Sequence, residues 1–177
     1  MKLRHIFLAL FISLSFVGCK NDKEATEKQI EAPKNAFKVA IKIVVKQTAN
    51  FCLLYTEDGS IDFKDGVWKE VIGSPNEQTV EFVLPEDVFP TQFRLDLGQN
   101  PAQEDIVLKT LTFDYLGNTR VLEGPQIGVF FRPDTSKCTY DASTGIIQSI
   151  KIDGVKQFPS LYPHETIQAA ELPKLAK

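Results

Sequence analysis

One tryptophan, one arginine and one aspartate carry the sharpest chemical suggestion in this chain. Trp68 is the sole tryptophan and lies in Gly66-Val67-Trp68-Lys69-Glu70-Val71, just after a turn. Arg94 and Asp96 share one parity in Gln92-Phe93-Arg94-Leu95-Asp96-Leu97, opposite Phe93, Leu95 and Leu97. On a strand, residues two apart point to the same side, so Arg94 and Asp96 can pair. An aromatic face stacks on a sugar ring, and planar Arg and Asp groups grip hydroxyls in pairs. The plainer reading has Trp68 capping a core and Arg94–Asp96 as a structural ion pair. Tyr55, Tyr115, Tyr140 and Tyr162, with Asp114 and Arg120, widen the same inventory.

Catalytic constellations are poorly supplied. Beyond residue 18 the only histidine is His164, in Tyr-Pro-His-Glu, and no G-x-S-x-G elbow occurs. Paired carboxylates (Glu57-Asp58, Glu86-Asp87, Glu104-Asp105) all stand beside turns and read as solvated acids. Glycine loops that cradle phosphates are absent. The stretch Asp58–Gly66 alternates oxygen-bearing side chains, but Phe63 stands where an EF-hand loop requires glycine. Cys52 and Cys138, far apart and with one histidine, make a poor zinc set. They read either as a disulfide or as two buried thiols. No cofactor is expected, and the chain reads as a non-enzyme.

The N-terminus states an address. Lys2 and Arg4 precede the uncharged run Ile6–Val17, and Gly18-Cys19 follow directly. A basic start, a short apolar run and a small residue before the cut make a signal peptide over residues 1–18. The run is too short to span a bilayer of ~30 Å as a helix. Phe16-Val17-Gly18-Cys19 resembles a lipobox, with Phe16 in place of the usual Leu as in Bacteroidetes. The resemblance implies diacylglycerol on the Cys19 thiol and an outer-membrane lipid anchor facing the periplasm or the cell surface. Residues 19–36, with few apolar side chains, read as a flexible tether. Removing the signal lowers the basic count from 20 to 18 against 23 acidic residues, for a net charge of −5. An acidic domain is ill suited to nucleic acid, whose binding rests on neutralising phosphates.

The elements that must position Trp68, Arg94 and Asp96 are strands. Phe37, Val39, Ile41, Ile43 and Val45 alternate with Lys38, Lys42 and Lys46, the period of a half-buried strand. Similar runs lie at 51–56, 79–84, 92–97, 105–115, 126–131 and 146–152, separated by Gly-, Asp-, Asn- and Pro-rich turns. No amphipathic helix is expected between 37 and 155. Closely spaced strands without intervening helices predict an all-β, antiparallel β-sandwich over 37–162. The tail 163–177 could hold a short helix near Glu165 to Glu171, between Pro163 and Pro173.

The phrase FVLPEDVFPTQFRLDLGQNPAQEDIVLKTLTFDY (82–115), with FCLLYTEDG (51–59) upstream, resembles β-sandwich modules of bacterial glycan-related proteins, the galactose-binding-like, jelly-roll family. That resemblance implies a jelly-roll-like fold and a non-catalytic binding or accessory module for glycan on the envelope. The rival expectation is a structural or assembly lipoprotein docking an envelope protein through a sheet edge or apolar patch. A hydrolase is the third. Ligand-binding residues under the first reading are Trp68, Arg94 and Asp96. Fold likeness alone does not carry function.

Overall fold

Strand alternation and turn chemistry build two antiparallel sheets, packed face to face with no closed barrel. The computed structural model describes residues 35–177. The expected signal peptide, Cys19 and most of the expected tether lie outside the described residues. In chain order the strands are β1 (Lys38–Val45), β2 (Ala49–Thr56), β3 (Asp65–Val71), β4 (Ser74–Val83), β5 (Gln92–Leu97), β6 (Ile106–Tyr115) and β7 (Asn118–Glu123). Helix α1 (Pro125–Phe130) is followed by β8 (Phe131–Pro133), β9 (Cys138–Asp141), β10 (Ile146–Ser149), β11 (Lys151–Ile152), β12 (Val155–Lys156) and β13 (Ser160–Pro163). Helix α2 (Glu165–Glu171) and a 3₁₀ turn (Leu172–Ala176) close the chain.

The first sheet has the order β4-β1-β6-β10-β9, with β7 beside β10 along the same side of β6. The second has the order β3-β2-β5-β13-β8, and β11-β12 form a separate hairpin. The antiparallel sandwich expected from the sequence is thus present. The register of β1 is also the expected one. Phe37, Val39, Ile41, Ile43 and Val45 are fully buried, while Lys42 and Lys46 are exposed. Between the sheets, Phe93 of β5 stacks on Phe113 of β6 at 5.6 Å between ring centroids, and Phe37 packs against both. Aromatic pairs add about 0.5–1.5 kcal/mol beyond the area they bury, so this cluster is a principal clamp between the sheets.

Three departures from the sequence reading have physical causes. The run Gln126–Phe131, expected as a strand, is mostly helix α1: Pro125 opens it and Ile127 and Phe130, three apart, turn one buried face to the core. Strands β3 and β7 were not expected, because both are polar edge segments whose residues are largely exposed. Finally, Ala36, at the end of the expected tether, is buried, and the C-terminal tail, whose expected short helix near Glu165 to Glu171 is α2, packs as part of the fold. Gln168 is fully buried on α2. Its Oε1 accepts the Phe93 N–H at 2.7 Å, and its Nε2 donates to the Phe130 carbonyl at 3.0 Å. Leu172 and Leu175 then join the core.

Candidate functional site

The outer side of the second sheet gathers all three residues singled out in the sequence. On β5, Leu95 and Leu97 face inward, so Arg94 and Asp96 face outward. On β2, Cys52 pairs in register with Asp96 on one side and with Trp68 of β3 on the other. Directly opposed side chains in an antiparallel pair lie about 4.5–5.5 Å apart at Cβ. Trp68, Cys52, Asp96 and Ser160 of β13 therefore make one row across four strands. Gly66 permits this packing. A Cβ there would approach the Cys52 sulfur to 2.9 Å and a Leu54 methyl to 3.0 Å.

Above this row lies a depression of about 170 Å³ lined by Trp68, Arg94, Asp96, Asn50, Phe158 and Ser160. Trp68 is 59% exposed, so it does not cap the core. Phe158, 39% exposed, supplies a second apolar surface. Arg94 grips Asp96 with a two-pronged bond, Nε to Oδ1 at 2.8 Å and Nη2 to Oδ2 at 2.9 Å. The pair is mostly covered, so it is a stiffer feature than a surface ion pair. The Arg94 guanidinium also lies 4.6 Å over the Tyr162 ring. Arg94 Nη1 takes no part in the fork, and a carboxylate offers more lone pairs than two bonds use. The arrangement presents an aromatic platform with a fixed donor and acceptor beside it.

The cysteines do not pair. Cys138 of β9 belongs to the core between the sheets, where its Sγ contacts the Ser160 carbonyl oxygen at 3.5 Å. Cys52 is buried within the outer row, on the other side of the second sheet. Both are free. A disulfide needs Cβ vectors that converge, and these diverge across a sheet. Burial, helped by the Asp96 charge and opposed by Arg94, pushes the Cys52 thiol up to about 11. Burial likewise raises Cys138.

The other sequence candidates stay scattered. Around Asp58–Gly66 the acids are engaged locally: Asp58 accepts the Ser60 N–H at 2.9 Å, and Lys64 pairs with Asp62 at 2.9 Å. Among the described residues, no three His, Cys, Asp or Glu side chains stand together as a metal site, and no helix is long and apolar enough to cross a membrane. Tyr115 packs beside Phe37 and Phe89 at the core. Arg120 pairs with Glu171 at 2.7 Å. His164 is the residue before α2, and its backbone N–H donates to the Phe130 carbonyl.

Phe158, Ser160 and Asn50 were not singled out in the sequence. Phe158 sits in an irregular segment with no periodicity to read. Ser160 reaches the site only through the long-range pairing of β13 with β5. No protein-family model, characterised protein or solved structure matches the chain.

Proposed function

We propose that this chain is an outer-membrane lipoprotein, anchored through Cys19, whose sandwich is a non-catalytic glycan-binding or accessory module. One observation carries the binding half of that reading: Trp68 stands 59% exposed at the rim of a depression whose floor holds the Arg94–Asp96 fork. A protein that merely solvates a sheet face does not need its only tryptophan there. The reading leans on this constellation rather than on the resemblance of residues 82–115. The anchor rests on Lys2, Arg4, the apolar run and Gly18-Cys19.

A rival reading, docking of an envelope protein, is favoured by a separate observation. Ile152 and Val155, opposed in the β11–β12 hairpin, are 46% and 64% exposed. A glycan array probed with the full-length protein in detergent, alongside Trp68→Ala, tests the first reading. Stacking and paired hydrogen bonds of about 1–3 kcal/mol each give micromolar to millimolar affinity, lost in Trp68→Ala. An array blank for both proteins sinks the glycan reading and leaves the hairpin as the next surface to test. The anchor has its own check: a fatty-acid analogue should label the wild type and not Cys19→Ser, and equal label on both would refute it.

A further inference from the structure

Beyond Ser160 the outer face of the second sheet continues to its far edge. Tyr162 of β13 is in register with Arg132 of β8, and its ring lies between two guanidiniums, Arg94 at 4.6 Å and Arg132 at 5.5 Å. Two cations over one ring hold it in a fixed orientation. There a second depression opens, about 330 Å³, lined by Arg132, Pro133, Asp134, Thr135 and Tyr162. It adjoins the first through two contacts: Arg94 touches Tyr162, and Lys137, which lines the first, pairs with Asp134 of the second at 3.4 Å. Crossing from β3 to β8 takes four strand steps of about 4.8 Å each, which is the width of several linked sugar rings rather than of one.

The charges on this face are balanced in pairs. The cations lining the two depressions are Arg94, Lys137 and Arg132. Arg94 is paired with Asp96, Lys137 with Asp134, and Arg132 with Glu165 at 3.8 Å. An acidic ligand would find each cation already matched by a carboxylate and would face the carboxylates as well. Hydroxyl groups suit such pairs, because a hydroxyl both donates and accepts.

We infer that the Trp68 depression is one end of a two-part groove for an uncharged oligosaccharide chain, with one unit on Trp68 and a later unit in the Arg132–Tyr162 depression, and that chains bearing carboxylates or sulfates are disfavoured. This rests on the glycan reading above and names its ligand class. Because Trp68 is the sole tryptophan, its fluorescence reports the first depression directly.

Full-length protein in detergent is titrated with neutral gluco-, manno- and galacto-oligosaccharides of increasing length, from the monosaccharide upward, and with oligogalacturonates. Affinity is read by Trp68 fluorescence and by calorimetry. For at least one neutral series, affinity should rise about tenfold or more from the single sugar to the longer chains, and oligogalacturonates should bind at least about tenfold more weakly. Thr135→Met, at an exposed position, puts a longer side chain without a stacking face into the second depression and should weaken the length dependence read by calorimetry. Arg132→Gln should act in the same direction, with a melting curve to confirm that it folds. Length-independent neutral binding, or oligogalacturonates binding as tightly as neutral chains, overturns the groove while the glycan reading stands. Silence toward every saccharide in both readouts overturns both.

Discussion

On the first sheet, the residues that point away from the core include Lys38, Ala40 and Lys42 of β1, with Thr79, Glu81 and Val83 of β4, Thr110, Thr112 and Asp114 of β6 and Val121 of β7 in register beside them. They are small, aliphatic or charged, with no aromatic ring and no arginine–carboxylate fork among them. On the second sheet, the equivalent positions are Trp68, Leu54, Cys52, Arg94, Asp96, Tyr162 and Arg132. Both faces obey the same two-residue period, and both lie over equally apolar interiors. The difference is therefore not imposed by folding. A lone exposed apolar residue is ordinary on a protein surface. A tryptophan beside a covered arginine–aspartate fork and a tyrosine held between two guanidiniums is a built surface, and it is the reason to place function on that face.

The largest effect should come from violating the shared period. Ile41 is fully buried on β1, and Ile41→Asp puts an unpaired carboxylate between the sheets, a loss of about 4 kcal/mol or more that should unfold the domain. Its neighbour Lys42, about half exposed and 3.4 Å from Glu77, should tolerate Asp with a change within about 1 kcal/mol. Thermal melts of the two variants decide the register; the reverse ranking would refute it. Next in size is Gln168→Leu. It leaves the buried Phe93 N–H without its partner, while the Phe130 carbonyl keeps the His164 N–H, and an unmade buried bond costs about 1–3 kcal/mol. Denaturant titration should show a loss of about 1–3 kcal/mol. A neutral result would mean that the C-terminal helix is not a fixed part of the sandwich.

How much of this was legible beforehand follows from what each signal depends on. The register of β1 could be read because five apolar residues alternate with lysines in one uninterrupted run. The outward pairing of Arg94 and Asp96 could be read for the same local reason, since it needs only their spacing of two. Edge strands β3 and β7 could not, because an edge buries little and leaves no alternation. Helix α1 was hidden because Gln126–Phe131 is too short for a period of 3.6 to be told from a buried strand. Ser160 and Tyr162 reach Arg94 and Asp96 across more than sixty positions of chain, through a pairing of β13 with β5 that no local pattern encodes. The separation of Cys52 from Cys138 likewise needed the three-dimensional placement of a sheet between them.

Trp68→Ala sharpens the contrast between the faces without unfolding either. Being 59% exposed, Trp68 should contribute about 1 kcal/mol or less to stability, against about 3–5 kcal/mol for a core aromatic. Its register partner Cys52 gives a second readout. Thiol reagents react with the thiolate, and a thiol held up to about 11 from its ordinary 9.0 is almost wholly protonated at neutral pH. Removing the indole admits water and lets the thiol fall back toward 9.0, and each unit of that fall raises the thiolate fraction about tenfold. Labelling of Cys52 should therefore accelerate by about tenfold or more. Unchanged labelling would mean that other groups on the face seal the thiol, and a melt depressed by several kcal/mol would return Trp68 to a core role.

Arg94→Lys is the smallest change and the most discriminating between a strut and a grip. Lysine keeps the positive charge but gives up the planar fork, so one of the two bonds to Asp96 goes while the ion pair survives. With both side chains mostly covered but not sealed, stability should fall by about 1 kcal/mol or less. The guanidinium's hold on Tyr162 is also lost, and with it the rigidity that joins the two depressions. If the fork grips a ligand, oligosaccharide affinity should drop about tenfold or more in this variant while the melt barely moves. If it is a strut, the order inverts: the melt moves and binding does not. Arg94→Ala completes the test, because it leaves Asp96 without its partner and should lower both.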